Sequence, residues 1–295
     1  MAITASMVKD LREKTGAGMM DCKKALTECD GDMAKAVDWL REKGIAKAAK
    51  KNDRIAAEGL SRACVAGNTA LVFEVNSETD FVAKNAEFQE LVKLVGATVV
   101  ANNPADLDAA LALDVDGKDL ATVIAEKSGK IGEKLSFRRY TVLEKTDDEV
   151  FGAYSHMGGK MTALVKLANA TDEKAKDIAM HVAASAPQYI DRTAIPAEVL
   201  DRELAVLKAQ AMEENAKAAK PKPENIVEKM VQGRLNKNLK EMCLVDQEFI
   251  KDPDLTVAKY LGNGKVLEIV RFQVGEGMAK REENFAEEVA KQMGA

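Results

Sequence analysis

The side chains best suited to nucleophilic, acid–base or metal chemistry in this 295-residue chain are two histidines and four cysteines. His156 and His181 lie far apart, and neither falls at metal-ligand spacing from Cys22, Cys29, Cys64 or Cys243, which include no C-x-x-C pair. A Cys–His or Ser–His–Asp hydrolase has almost nothing to build on, so the thiols read as reduced and buried and the chain as no enzyme. Phosphate cradling fares no better. A Walker A loop needs Gly-Lys-Ser/Thr after a four-residue gap from another Gly, and neither residues 128–133 (S-G-K-I-G-E) nor 157–161 (M-G-G-K-M) supply it. Both stretches read as tight turns; no metal, no cofactor and no direct nucleotide binding are expected.

What remains is recognition chemistry, and it concentrates at residues 73–88, F-E-V-N-S-E-T-D-F-V-A-K-N-A-E-F, where the hydrophobic period changes. Leu71, Phe73 and Val75 alternate with Val72, Glu74 and Asn76 as in a strand, whereas Phe81, Phe88, Leu91, Val92 and Val95 recur at helical spacing. Ser77, Thr79 and Asp80 can each cap that helix, so Phe81 stands where backbone N–H groups are still unpaired. The residues alone leave two readings of Phe81: the first inward side chain of an amphipathic helix, or an exposed aromatic probe.

The elements around this corner can be read in order. Thr4 caps a first helix with Met7, Val8 and Leu11 as its stripe, a second carries Met20, Ala25 and Leu26 to Asp30-Gly31, and a third from Asp32 gathers Ala36, Val37 and Leu40, then breaks at Gly44. Met19 and Met20, in the loop between the first two helices, either fill this small bundle or face outward. Residues 47–54, K-A-A-K-K-N-D-R, read as a solvated linker or helical extension, because no interleaved aromatics are there to stack bases. A hairpin follows, with strands at 60–65 and 69–75. Its T-A-L-V at 69–72 returns 93 residues later at 162–165, with Asn76 opposite Asn169, which implies two related α+β subdomains with antiparallel sheets. At that offset Lys174 stands where Phe81 does. Between the two copies lie a helix ending near Lys127, the 128–133 loop and a strand at 135–143. Leu200, Leu204, Leu207 and Ala211, then Ile226, Met230 and Leu239, mark two helices separated by Pro221 and Pro223, an antiparallel arm whose apolar face needs a cover. A strand at 266–274 and a helix at 278–293, with Phe285, Val289 and Met293 at four-residue steps, close the chain.

Several of these strings together resemble the elongation factor Ts family: G-A-G-M-M-D-C-K-K-A-L at 16–26, T-D-F-V at 79–82, I-G-E at 131–133, H-V-A-A-S at 181–185 and R-F-Q-V-G-E-G-M at 271–278. They cover essentially the whole chain in the family's order. The resemblance implies an exchange factor that binds elongation factor Tu, GDP-bound and nucleotide-free, and replaces GDP by GTP. It implies that Thr79, Asp80, Phe81 and Val82 dislodge the partner's Mg²⁺. Arg12, Met19, Met20, Ile131, Gly132 and His156 are implied as further partner-binding residues. The bundle would be ubiquitin-associated-like, and the arm a projecting coiled coil serving a homodimer or a 2:2 complex. A C-terminal module would reach the partner's nucleotide-binding domain.

Composition agrees with such a role. Aromatics are 4% of residues and charged residues 31%, which points to a helix-rich protein packed by aliphatic and Met side chains. A net charge of −5 argues against general polyanion binding, so nucleic acid is not expected as a partner. The N-terminal M-A-I-T-A-S lacks the pattern of an export signal, and no apolar run approaches the ~18 residues that span a bilayer, so a cytoplasmic protein is expected, without a membrane role. The expected layout is 1–54 bundle and basic linker, 55–145 first subdomain, 146–196 with 245–274 second subdomain, 197–244 arm and 275–295 C-terminal module. The alternatives are a helical adaptor acting through the bundle alone, or an RNA-binding translation accessory using residues 47–54.

Overall fold

The computed structural model describes residues 3–279 apart from 16, 18, 50, 52 and 219, with backbone alone at 45–49. The expected C-terminal helix, with Phe285, Val289 and Met293, lies outside the described residues beyond position 279. The chain divides into two compact units and is α+β in class.

The first unit takes the described residues of Met1–Val142, Ser155–Thr162 and Phe272–Ala295. It opens with α1 (Ala5–Thr15), α2 (Met19–Glu28) and α3 (Met33–Ala49). The Thr4 hydroxyl accepts the Met7 N–H at 3.3 Å, supplying the helix cap, and Leu11, Cys22, Leu26 and Ala36 fill the space between the three helices. With that core complete, Met19 and Met20 are not needed inside. They occupy the first turn of α2, not the loop before it, and are exposed.

The third helix does not break at Gly44 but runs on to Ala49, and the reason lies in a second glycine. It packs on α7 (Leu120–Ile131), where a Cβ placed on Gly129 would fall 2.8 Å from the Gly44 carbonyl oxygen. Two backbones approach this closely only where side chains are missing, and the packing outweighs the poor helix propensity of glycine. For the same reason α7 continues through 128–131, where a loop was expected, and ends at Gly132, whose φ of 95° and N–H bond to the Ser128 carbonyl (3.0 Å) close the helix. Nor is the 47–54 stretch uniformly solvated. Its first residues are helical, and Lys51 is buried with its ammonium donating to the Ser128 carbonyl at 3.1 Å.

Strands β1 (Glu58–Ala66) and β2 (Thr69–Ser77) form the expected antiparallel hairpin, in register from Glu58 opposite Ser77 to Ala66 opposite Thr69. The chain then builds α4 (Asp80–Ala83), α5 (Ala86–Asn102), α6 (Leu107–Leu111), the two-residue strands β3 (Asp114–Val115) and β4 (Lys118–Asp119), α7, and β5 (Ser136–Glu144). The sheet order β1-β2-β5 makes β2 central and buried along its length. Leu71, Phe73 and Val75 share one core with Phe88, Leu91, Val95 and Val99 of α5.

The intervening Glu74 is also fully buried, and it is paired. Arg138 and Arg139 reach its two oxygens at 3.0 and 2.7 Å, and the Asn76 amide and the Gly275 N–H each donate at 2.9 Å. Burial pushes this carboxyl up, but the four donors outweigh burial and hold it below the usual range. Gly275 has φ 73°, and a Cβ there would sit 2.2 Å from the Ala57 carbonyl oxygen, so this position of the R-F-Q-V-G-E-G-M string admits glycine alone.

The second unit comprises Leu143–Tyr154 and Ala163–Arg271 and carries most of β6 (Glu149–His156), β7 (Met161–Ala168) and, last in the chain, β10 (Lys265–Gln273), in the order β10-β7-β6. Helix α8 (Asp172–Ser185) lies close enough that a Cβ on Gly152 would meet the Ala175 carbonyl oxygen at 2.0 Å. Its Thr171 cap follows the Thr79 cap by 92 residues, one fewer than the strand offset, so cap alignment puts Glu173 opposite Phe81 in place of Lys174.

Helices α9 (Ala197–Lys217) and α10 (Glu224–Met242) bury a seam against each other. On α10 that seam is Val227, Val231, Leu235 and Leu239, not the expected Ile226 and Met230, because four-residue steps from Val227 meet Leu207 and Ala211. Ile226 is exposed. Strands β8 (Glu248–Phe249) and β9 (Asp252–Thr256) and helix α11 (Val257–Leu261) complete the unit, with Phe249 stacked on Tyr260 at 4.0 Å between centroids.

Candidate functional site

The strand-to-helix corner is built by one short helix followed at once by another. Thr79, extended at φ −126° and ψ 157°, caps α4 by accepting the Val82 N–H at 3.4 Å. After a single turn α4 stops, and Asn85 caps α5 by accepting the N–H groups of Glu87 and Phe88. Phe81 and Phe88 therefore do not share a helix face. Val82 packs on the core and Ala83 is buried, while Phe81 points away and is 80% exposed. Of the two readings open in the sequence, the inward one is contradicted.

The ring is not unsupported. The Lys84 ammonium lies 5.8 Å above it and pairs with the Asp80 carboxylate at 2.7 Å. That hydrogen bond chiefly holds the Asp80 carboxyl below the usual range, and the charge of Lys160 adds to it. Lys160 closes the turn that follows His156, so the two segments share an electrostatic neighbourhood. In that turn Met157, Gly158 and Gly159 have φ of 47°, 68° and 107°, and the segment is tied to β1 by Arg62 donating to the Gly158 carbonyl (2.8 Å) and by the Lys160–Glu58 ion pair.

Behind the corner stand two glutamates. One oxygen of Glu133 accepts the N–H groups of both Glu78 and Thr79 at 3.0 Å, and the other accepts the Thr79 hydroxyl at 2.6 Å. In return Glu78 accepts the Lys134 N–H at 2.6 Å and the Arg54 guanidinium at 3.3 Å. Neither glutamate stands out in the sequence, because nothing in spacing reveals that 78–79 and 133–134 meet across 54 residues.

The remaining candidates all belong to the first unit. Arg12 is exposed in the last turn of α1, and Met19 and Met20 are 58% and 75% exposed. Ile131 is half-buried against the subdomain core, Gly132 is exposed, and His156 is exposed at the end of β6. Gly132 lines a cleft of about 790 Å³ whose other wall includes Thr15, Ala17 and Asp21, which brings the I-G-E corner beside the start of α2. Met157 is also 72% exposed, although in the sequence it stands only as part of a Gly turn.

No cluster of three metal-ligating side chains occurs among the described residues. His181 is buried, accepting the Ile250 N–H at Nδ1 (3.2 Å) and hence donating from Nε2 to the Gln247 side-chain oxygen (2.8 Å), which makes it part of a core. All four cysteines are free, Cys22 and Cys243 buried and Cys29 and Cys64 half-buried. Phe81, Met19, Met20 and Met157 are thus large apolar side chains left at the surface of the first unit. The profile of the family described as Elongation factor TS matches residues 78–276, about two thirds of the chain. The chain belongs to the elongation factor Ts family, and is thus a translation elongation factor.

Proposed function

We propose that this chain accelerates release of GDP from elongation factor Tu by inserting Phe81 between elements of that GTPase beside its Mg²⁺ site. The observation that carries the reading is an aromatic ring left 80% exposed at a braced corner, in a chain of this family. Asp80 competes for hydrogen bonds that hold the partner's elements together. Its own pairing with Lys84 is on the surface, where such pairs are weak, so the carboxylate exchanges partners at little cost. Once the metal no longer bridges phosphate and protein oxygens, nucleotide affinity falls steeply. Thr79 and Val82 hold the wedge. Arg12, Met19, Met20, Ile131, Gly132 and His156 supply the bound area that offsets the distortion. The paired helices α9 and α10, with Leu204, Val206 and Met212 exposed, are the place for a second contact, as a homodimer or a 2:2 complex. The setting is the cytoplasm.

The test is release of fluorescent GDP from elongation factor Tu as this chain is titrated in. A saturable acceleration that shrinks as free Mg²⁺ rises is expected; an unchanged rate despite complex formation would leave an adaptor without exchange activity. An RNA-binding accessory would instead show binding to RNA that weakens steeply with salt.

A further inference from the structure

We infer that Glu133 is the positioning residue of the Phe81 wedge, and that the basic stretch after α3 is part of the brace that holds it. The inference rests on the exchange reading above. It starts from a donor count. The Glu133 carboxylate faces three donors at the corner, the N–H groups of Glu78 and Thr79 and the Thr79 hydroxyl, at 3.0, 3.0 and 2.6 Å. The hydroxyl, by giving its proton to the carboxylate, is left with its lone pairs toward the Val82 N–H that it caps. The first turn of α4, and so the direction of the Phe81 side chain, is thereby set by a charge on another element.

A four-residue helix cannot do this for itself. One turn makes too few internal bonds to offset the ordering of its residues, so an unbraced α4 would sample other conformations and the ring other directions. The brace is also anchored from behind. The Ser128 hydroxyl donates to the Glu133 carbonyl at 2.5 Å, while the Ser128 carbonyl accepts the buried Lys51 ammonium at 3.1 Å. Arg54 pairs with Glu78, and its carbonyl accepts the Lys134 ammonium at 3.2 Å. Lys51 of the basic stretch is thus buried, and Arg54, though exposed, also bonds back to the chain. Their cations meet carbonyl and carboxylate oxygens of the same corner.

Glu133→Gln is the sharp test, because it keeps size and shape while removing the charge and replacing one acceptor oxygen by an NH₂ group, which must either face the two backbone N–H donors or turn the Thr79 hydroxyl from donor into acceptor. In a four-way comparison of parent, Glu133→Gln, Phe81→Ala and the double variant, GDP release from elongation factor Tu should fall about tenfold on Glu133→Gln in the parent and change less than about twofold in the Phe81→Ala background. Equal effects in both backgrounds would overturn the inference, because Glu133 would then act on something other than the ring. If Phe81→Ala alone costs nothing, the wedge itself fails, a separate result. Should Glu133→Gln not fold, Thr79→Val and Thr79→Ser probe the hydroxyl that joins Glu133 to the Val82 N–H. Serine keeps the hydroxyl and should retain activity; valine should lose it, and equal rates for the two would refute the brace.

Discussion

Single side chains in this molecule divide into those that are paired inside and those that are presented outside, and titration tells them apart. Burial holds the His181 imidazole below its ordinary range, against a smaller upward pull from Gln247. An unfolded chain protonates its histidine near pH ~6.5, so as pH drops below that value the unfolded state takes up a proton that the native state refuses, and stability falls. Thermal unfolding between pH 7 and 5 should show this slope, and His181→Gln should flatten it. The buried carboxylates Glu74 and Asp177 behave differently: burial raises each, but their hydrogen-bond donors win and lower both, so they add stability above ~pH 4 that disappears in stronger acid. A His181→Gln protein with the parent's slope between pH 7 and 5 would assign that slope elsewhere.

At the scale of elements, glycines decide what periodicity could not. Gly44 and Gly129 each read as an end or a loop in the sequence, yet each lies within a helix because the two helices touch there. Gly129→Val would drive a branched side chain into the Gly44 backbone, where nothing flexible can move aside, and should cost about 1–3 kcal/mol of stability in denaturant titration. A variant as stable as the parent would show that α3 and α7 can part freely. On the α9–α10 pair, Leu235→Ala should cost about 2–5 kcal/mol, whereas Ile226→Ala, one register away and exposed, should cost almost nothing. The hairpin, the cap at Thr4 and the two long helices were legible because each rests on local chemistry, whereas the choice of Thr79 among Ser77, Thr79 and Asp80 as the cap was not. On α10 Leu239 lies in the seam as expected, but Ile226 and Met230 stand one residue away from it, because Ile226 and Val227 are both apolar and only the partner helix selects between them.

For the whole molecule, linkage sets the terms. If the chain lowers the affinity of elongation factor Tu for GDP by some factor, GDP must lower the affinity of elongation factor Tu for the chain by the same factor, and calorimetric titrations with and without GDP should return equal ratios. Unequal ratios would require a second nucleotide-sensitive site. The corner at 79–82 was visible in the sequence as a change of period and a row of caps. Its brace was not, because Glu133 and Thr79 are joined by topology and no local pattern records that meeting. The exposure of Phe81 likewise needed the stop after Ala83, set by the Asn85 cap. The most direct test of the account is the rate of GDP release from elongation factor Tu driven by saturating Phe81→Ala protein. The account predicts a fall of at least about tenfold with complex formation retained; release as fast as with the parent chain would contradict it.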